Sequence, residues 1–321
     1  MSGDHKQGRV PLESDKVLTY LFTLGQIRGL GPAKIKSLLS RFLDVSDVFY
    51  SDVDTLVSAK GISRDLAFQI RQSAEHLEEA EVFISKQLQI AEQLGARLIP
   101  ITNADYPELL KRTSYCPEII YALGNFSFLN KLRANCIAAG GTRKSTEYGE
   151  HLAYEFGKLF AEVNWSVISG LAKGIDAAAH RGCLDGNGYT VAVVGSGLDV
   201  VYPRDTINER NRIIECGLVL TEYPFGIHPL VVNLKKRNKI IVGLSEGLVV
   251  VQTGIKGGVY NAVKAAKEQR KPVFAVEPSV DQEHFDGNFD LISNRKAIPL
   301  TTSRSVPQIV RRIESGRSAL F

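Results

Sequence analysis

The pattern of apolar and polar residues divides the chain into two parts with different periodicities. Between Lys16 and Leu94 apolar residues recur at helical spacing among charged ones, which predicts an all-α unit over residues 16–95. Beyond residue 96, short runs of Val, Ile, Leu and Ala alternate with helical segments. These runs predict strands at Cys136–Ala139, Trp165–Ile168, Thr190–Val194, Leu218–Thr221, Gly247–Val251 and Val273–Val276.

Apolar, β-branched strands that alternate with helices are typical of a parallel sheet covered on both faces. The sequence therefore predicts a Rossmann-like α/β domain, with a doubly wound and mostly parallel sheet, over residues 96–300. Two more strand-like pieces, Arg97–Ile101 and Ile119–Leu123, lie in a proline-containing connector at its start. Ligands of such sheets bind beyond the carboxyl ends of the strands.

The helical unit contains two similar glycine turns, at Ile27–Ile35 and Ala59–Ala67. Each turn separates two helical runs, which predicts a small SAM-like helix-hairpin-helix domain. Such a turn can bind a phosphate through its amides and a nearby lysine or arginine. The second copy has Ser63 where a glycine would complete the turn, so we favour a packing role for the pair.

The two ends of the chain carry little pattern. Residues 1–15 are polar and are predicted to be a flexible leader, without the apolar core of a secretory signal. Residues 301–321 are predicted to be a short tail with one solvated helix at Ser305–Ser315. No apolar run approaches the roughly 20 residues of a membrane span, so we expect a cytoplasmic protein with no membrane contact.

Composition limits the possible functions only loosely. Of 321 residues, 44% are apolar and 23% charged, as in ordinary globular proteins. The net charge of +4 permits nucleic-acid binding without requiring it. The cysteines are far apart in the sequence, which predicts reduced packing residues and neither a zinc site nor a disulfide framework. They are Cys116, Cys136, Cys183 and Cys216.

Glycine-rich turns follow several of the predicted strands. Residues Ala139–Gly149 read A-G-G-T-R-K-S-T-E-Y-G, which offers backbone amides, a hydroxyl and a guanidinium to a phosphate. Two more strands within Val167–Tyr202 end in glycine, and the block Lys235–Ser245 adds further cations. The dinucleotide fingerprint G-x-G-x-x-G is absent, so we expect a polyanionic ligand and no nicotinamide or flavin cofactor.

Four motifs resemble, in their order, those of the DNA processing protein A family, also called DprA or Smf. They are G-T-R-K-S-T-E-Y-G, V-I-S-G-L-A-K-G-I-D-A-A-A-H, V-A-V-V-G-S-G-L-D-V-V-Y-P and R-N-K-I-I-V-G-L-S, within a resemblance over roughly Leu18–Pro278. The resemblance implies a non-enzymatic, homodimeric protein without a cofactor. Such a protein binds single-stranded DNA, protects incoming DNA and helps to load the RecA recombinase during natural transformation.

The resemblance and the glycine turns indicate the same basic pocket. The predicted DNA- and phosphate-binding residues are Gly141, Thr142, Arg143, Ser169, Gly170, Lys173, Arg237, Asn238 and Lys239. Contacts to phosphates would make binding largely independent of sequence and steeply dependent on salt. Tyr202 and Tyr223 are candidates to stack bases, although a structural role is the favoured interpretation.

The chain departs from the family pattern at three positions of this region. Lys239 stands where an arginine is usual, Gln252 where a glutamate is usual, and Gly257 where a serine is usual. The loss of a negative charge at Gln252 is expected to favour DNA if that residue lies beside the pocket. The residues after Leu300 are too few for the winged-helix domain that the resemblance would allow, so we expect none in them.

The alternative function is that of a Rossmann-like protein that binds nucleotides or hydrolyses nucleoside monophosphates. The turn Ile255–Asn261 lacks the proline, threonine and acid of a P-G-G-x-G-T hydrolase turn, which argues against hydrolysis. Asp176, His180 and Glu222 are candidates for an acid–base or metal set. We expect instead that Asp176 braces the G-I-D turn and that His180 packs against the sheet, and we predict no catalytic or metal-binding residue.

Overall fold

A computed structural model describes residues 13–277 and 283–318 of the chain. The chain divides into two compact units, Met1–Gln93 and Leu94–Phe321. Most of the predicted leader and the last residues of the predicted tail lie outside the described residues. No helix among the described residues is long and apolar enough to cross a membrane.

The first unit is helical. In its two glycine turns Gly29 and Gly61 both have a φ of +86°, a conformation that glycine adopts at little cost. Ser63 caps the helix that follows the second turn, because its hydroxyl accepts a hydrogen bond from the Leu66 amide. The helices are α1 (Glu13–Gln26), α2 (Pro32–Leu39), α3 (Asp47–Tyr50), α4 (Val53–Val57), α5 (Arg64–Gln72) and α6 (Leu77–Leu94).

The second unit contains one nine-stranded sheet with the order β1-β2-β6-β5-β4-β3-β7-β8-β9. Strands β3 to β9 pair in parallel, whereas β2 is antiparallel to both β1 and β6. The strands are β1 (Ala96–Pro100), β2 (Ile119–Gly124), β3 (Cys136–Gly140), β4 (Ser166–Ser169), β5 (Thr190–Val193), β6 (Leu218–Thr221), β7 (Leu248–Val250), β8 (Val273–Val276) and β9 (Ile298–Leu300).

The order of the strands reverses at β3. The chain proceeds from β3 through β4, β5 and β6 in one direction and then returns to the other side of β3 with β7, β8 and β9. This reversal is the topological switch point of a doubly wound sheet, where ligands characteristically bind. We call the edge at which β3 to β9 end the carboxyl edge, and the opposite edge the amino edge.

Helices cover both faces of the sheet, as the fully buried strands require. Helices α8 and α9 pack so closely that a Cβ atom on Gly182 would collide with the carbonyl of Tyr154. The helices are α7 (Glu108–Lys111), α8 (Glu147–Glu162), α9 (Ile175–Asp185), α10 (Ile207–Cys216), α11 (Val231–Lys236), α12 (Asn238–Gly243), α13 (Tyr260–Glu268), α14 (Asp286–Ser293) and α15 (Val306–Ser318).

The predicted mostly parallel, Rossmann-like sheet and the preceding helical domain are confirmed, with two differences in detail. Strand β9 was not predicted, and the segment predicted as a solvated tail forms α15, whose Val306, Ile309 and Ile313 belong to the main hydrophobic core. None of the four cysteines, all of which the structure describes, forms a disulfide bond. Three of them are buried, but Cys216 is exposed, so the predicted packing role does not apply to it.

Candidate nucleic-acid interface

A cavity of about 390 Å³ lies at the carboxyl edge, next to the switch point. Seven of the nine predicted site residues line it: Gly141, Thr142, Arg143, Ser169, Gly170, Arg237 and Asn238. Its wall also contains residues that we did not predict, among them Lys144, Val231, Leu234, Lys235, Val259 and Asn261. The topology thus brings together residues that lie more than a hundred positions apart in the sequence.

The turn after β3 holds two cations at the mouth of this cavity. The Thr142 amide donates to the carbonyl of Gln252 at 2.8 Å, and the Thr142 hydroxyl accepts from the Lys144 amide at 3.1 Å. These bonds fix the backbone of the turn, while the side chains of Arg143 and Lys144 are exposed. A fixed turn with exposed cations is suited to an anionic ligand.

The turn after β4 is braced from within. The Ser169 hydroxyl is buried and donates to the carbonyl of Ala139 at 2.6 Å. A Cβ atom on Gly170 would collide with the guanidinium of Arg237, so only glycine allows this approach. Ser169 and Gly170 therefore shape the wall of the cavity, and the Ser169 hydroxyl already has a protein partner.

Arg237 is buried, with only 6% of its surface exposed. Its Nη1 donates to the carbonyl of Gly170 and, at 2.6 Å, to that of Val193, and its Nη2 lies 4.0 Å from the Asp176 carboxylate. Burial lowers the pKa of Arg237, and Asp176 opposes this change. The guanidinium is bonded to carbonyls at the ends of β4 and β5, which gives it a bracing role, and the phosphate contact that we expected at Arg237 stays a prediction.

The two predicted lysines lie outside the cavity. The ammonium of Lys239 is 4.8 Å from the centre of the Tyr115 ring, on another side of the α12 helix from Asn238. Lys173 is exposed and lines a neighbouring groove. The predicted position of Lys239 in the pocket is thus wrong, since adjacent residues in a helix, such as Asn238 and Lys239, face different directions.

The groove that contains Lys173 adjoins the cavity. Its residues are Arg143, Lys173, Val201, Tyr202, Pro203, Arg204 and Asp205, around a volume of about 490 Å³. Arg143 is common to both linings. The predicted site therefore consists of an inner cavity and an outer groove that meet at one arginine.

Asp176 and His180 have the structural roles that we expected. Asp176 is buried and accepts hydrogen bonds from the amides of Ala172 and Gly141, and burial raises its pKa. His180 Nδ1 lies 2.6 Å from the Thr190 hydroxyl, which itself donates to the Val167 carbonyl. The Nδ1 must therefore carry the proton. Burial lowers the pKa of His180 to about 3.

The remaining acid–base candidate, Glu222, is bonded elsewhere. Both of its carboxylate oxygens accept from the Tyr115 hydroxyl, at 3.2 and 3.3 Å, and burial raises its pKa to about 7. The residues that the structure describes contain no group of three or more His, Cys, Asp or Glu that could hold a metal ion. Tyr223, predicted as a possible stacking residue, lines neither the cavity nor the groove.

Gln252 and Gly257 are explained by local packing. The Gln252 amide donates to the Thr146 hydroxyl and to the Glu283 carbonyl, both at 3.0 Å, and its oxygen accepts from the Thr146 amide. Its side chain thus braces the start of α8 and does not line the cavity, so the expected effect of its neutral charge on DNA has no geometric basis. A Cβ atom on Gly257 would collide with the Thr253 hydroxyl.

The exposed cations of this edge form no salt bridge with any residue that the structure describes. Among the described residues, none of Arg143, Lys144, Lys173 and Lys235 forms a salt bridge. Lys144 and Lys235 were missed, although Lys144 lies within the G-T-R-K motif and Lys235 begins the block Lys235–Ser245, because sequence alone does not show which side of a turn faces a cavity.

Comparison with known proteins agrees with this architecture. Residues 97–311 match the family described as DNA recombination-mediator protein A. The chain belongs to this family. Residues 22–75 also match a SAM-like helix-hairpin-helix tandem, which covers both glycine turns of the helical unit.

Named relatives in this family are similar along much of the chain. The protein Smf of Synechocystis is 29% identical over 286 residues, which cover 89% of this chain and 71% of Smf. The DNA processing protein DprA of Bacillus subtilis is 34% identical over 198 residues, 62% of this chain and 66% of DprA. The X-ray structure of DprA from Streptococcus pneumoniae superposes with a TM-score of 0.70 and 26% identity, covering 92% of this chain and 97% of that one.

Proposed function

We propose that this member of the DNA recombination-mediator protein A family binds single-stranded DNA at the carboxyl edge of its sheet. The observation that carries this proposal is a set of four exposed cations around one cavity and its adjoining groove, none of which forms a salt bridge in the described part of the chain: Arg143, Lys144, Lys173 and Lys235. Unpaired cations in a concave site attract a polyanion, since each phosphate contact releases condensed counterions.

The shape of the site favours a single strand over a duplex. The site is a concave cavity of about 390 Å³ at the strand ends, and a flexible single strand adapts to a concave site more readily than a stiff duplex. Exposed lysine and arginine side chains suit phosphates and carry no sequence information. The DprA structure from Helicobacter pylori was described for its single-stranded DNA binding mode, which supports the same ligand here.

The biological role that we propose for this binding is the one that the family and its named relatives suggest. A protein that covers single-stranded DNA in this way would protect incoming DNA and help to load a RecA-type recombinase, in the cytoplasm and as a homodimer. The mediator role is tested by the rate at which a RecA-type recombinase starts single-strand-dependent ATP hydrolysis on DNA that carries a single-strand-binding protein. We expect the parent chain to accelerate the start of ATP hydrolysis and the Arg143→Ala variant not to do so. If the rate is the same with and without the parent chain, the mediator role is contradicted. Light scattering tests the homodimer.

DNA binding is tested by fluorescence anisotropy with a labelled oligonucleotide, single-stranded or annealed to its complement, at several salt concentrations. We expect a preference for the single strand. Arg143→Ala and Lys173→Ala should each weaken binding, and each lost phosphate contact should lower the salt slope by about 0.7. Arg133→Ala is the matched control, because Arg133 is exposed but precedes β3 at the amino edge.

Two results would contradict the proposal. One is unchanged affinity in both the Arg143→Ala and the Lys173→Ala variants while they remain folded. The other is equal affinity for duplex and single strand with an equal loss in the Arg133→Ala control, which would indicate non-specific attraction to a mildly basic surface.

A further inference from the structure

The proposed function uses the outer groove only through Arg143 and Lys173 and gives no role to its other residues. We propose that the groove is a second subsite for the same DNA strand, in which Tyr202 stacks against a base and Arg204 contacts a phosphate. This inference rests on the proposed function and extends it to Tyr202 and Arg204.

The first argument is continuity. Arg143 lines both the cavity and the groove. When one phosphate of a strand contacts this guanidinium, the nucleotides on one side of that phosphate lie towards the cavity and those on the other side lie towards the groove. The groove has a volume of about 490 Å³, which is no smaller than the cavity. A strand bound at the cavity therefore passes the groove on at least one side of Arg143.

The second argument is that the groove is built with fixed walls. Tyr202 and Arg204 belong to the segment that follows β5, and Lys173 belongs to the turn that follows β4. The Thr206 hydroxyl lies 3.0 Å from the Leu171 carbonyl and 3.3 Å from that of Pro203. This buried hydroxyl thereby ties the segment after Tyr202 to the turn that precedes Lys173. Fixed walls lower the entropic cost of binding.

The third argument is the chemistry of the lining. Three of its side chains are cationic, Arg143, Lys173 and Arg204, and one is a carboxylate, Asp205. In the described part of the chain none of these four forms a salt bridge. Tyr202 is the one aromatic residue of the lining and is only partly buried. An aromatic ring among unpaired cations is the combination with which proteins hold single strands.

The proposal is tested with oligothymidylates of increasing length that carry 2-aminopurine at single positions. Tyr202→Leu should weaken binding by about fivefold or more, since stacking on an aromatic side chain contributes about 1–3 kcal/mol per base. The same variant should lose the quenching of 2-aminopurine at one position, whereas Tyr202→Phe should keep both. Arg204→Ala should lower the salt slope by about 0.7, whereas Arg133→Ala should leave it unchanged.

The outcomes separate this proposal from the proposed function. If Arg143→Ala loses binding but Tyr202→Leu and Arg204→Ala match the parent in affinity, quenching and salt slope, the groove is not a subsite and the cavity still binds DNA. If Arg143→Ala and Lys173→Ala keep full affinity, the proposed function itself fails. Arg204 is exposed, so the Arg204→Ala variant is expected to fold. It therefore still tests the groove if the Tyr202→Leu variant does not fold.

Discussion

The two edges of the parallel sheet use positive charge differently. At the amino edge, Lys131 lies over the ring of Tyr189 at 3.8 Å from its centre, and Lys271 donates to the carbonyls of Val242 and Gly243 at 2.6 and 3.0 Å. At the carboxyl edge, Lys144 and Lys235 are exposed and have no salt bridge among the described residues.

The difference shows how to separate cations that hold the fold from cations that await a ligand. A lysine whose ammonium is bonded to carbonyls or lies over a ring has its charge stabilised by the protein itself. A lysine with neither has only water and counterions, which a polyanion displaces favourably. The total charge of +4 conveys none of this, because it sums both kinds.

Arg237 is the strongest test of the comparison, because it lies at the carboxyl edge but is bonded like the cations of the amino edge. Arg237→Ala should lower the free energy of unfolding by about 3–5 kcal/mol, since it leaves Asp176 buried without its charge partner. Urea denaturation measures this. Adding Asp176→Asn should restore part of the loss. If Arg237→Ala is as stable as the parent but binds DNA more weakly, Arg237 contacts DNA and does not stabilise the fold.

The two edges should also respond to pH with opposite signs. His180 is bonded to Thr190 at the amino edge and has a pKa of about 3, below its unfolded value, so the unfolded chain binds the extra proton as the pH falls below about 6.5. Between pH 7.5 and 4.5 the free energy of unfolding should fall by about 2–3 kcal/mol more in the parent than in His180→Gln.

Glu222, at the carboxyl end of β6, has a pKa of about 7, above its unfolded value. The contribution of Glu222 to the free energy of unfolding is greatest below about pH 4.5 and is lost as the pH rises towards 7. The parent should therefore gain free energy of unfolding from Glu222 as the pH falls from 7, and Glu222→Gln should remove this gain. The effect has the opposite sign to that of His180. Denaturation of both variants at several pH values checks the two signs, and equal slopes in parent and variants would refute the assignments.

Lys235 and Lys236 sharpen the comparison within one helix. Both are exposed, but only Lys235 lines the cavity. Lys235→Ala should weaken single-stranded DNA binding by about fivefold to tenfold, or about 1–1.4 kcal/mol, and lower the salt slope. Lys236→Ala is the matched control and should bind like the parent. If both variants lose the same affinity for single-stranded DNA, binding depends on the total charge of α11 and not on contacts in the cavity.

The smallest effect is expected at the amino edge. Lys131→Met removes the cation from the ring of Tyr189 and should lower the free energy of unfolding by about 0.5–1 kcal/mol. Its affinity for single-stranded DNA should equal that of the parent, as measured by anisotropy at low salt. Weaker binding by this variant would show that the amino edge also contacts DNA.

The fold could be predicted largely because its central strands are continuous apolar runs. Cys136–Gly140 and Val273–Val276 have no polar residue, a pattern that a parallel sheet covered on both faces requires. Strand β9 escaped notice because it has three residues, two of them exposed, and a proline at its centre. The role of α15 was missed because its apolar face depends on which part of the sheet it covers.

The site could be predicted only as far as its turns. The glycines and Arg143 follow β3 directly, so their place at the carboxyl edge follows from the direction of the strand. The sequence R-N-K at Arg237–Lys239 offers two cations with no sign that one of them bonds to carbonyls inside the protein and the other lies over Tyr115. That choice depends on how α11 and α12 meet the sheet, which is a property of the packed structure.

The cavity draws its lining from Ala139 through Ala262, and this has a consequence for how the protein is kept intact. Strands β3, β4 and β7 contribute residues to that lining and must be in place before the cavity exists, so a partly synthesised or locally opened chain has no site. A ligand of the cavity binds the native state alone and, at a free concentration of a hundred times its dissociation constant, adds about 2.7 kcal/mol to stability. Occupied molecules would thus resist proteolysis longer than empty ones, and the ligand would set the lifetime of its own binder.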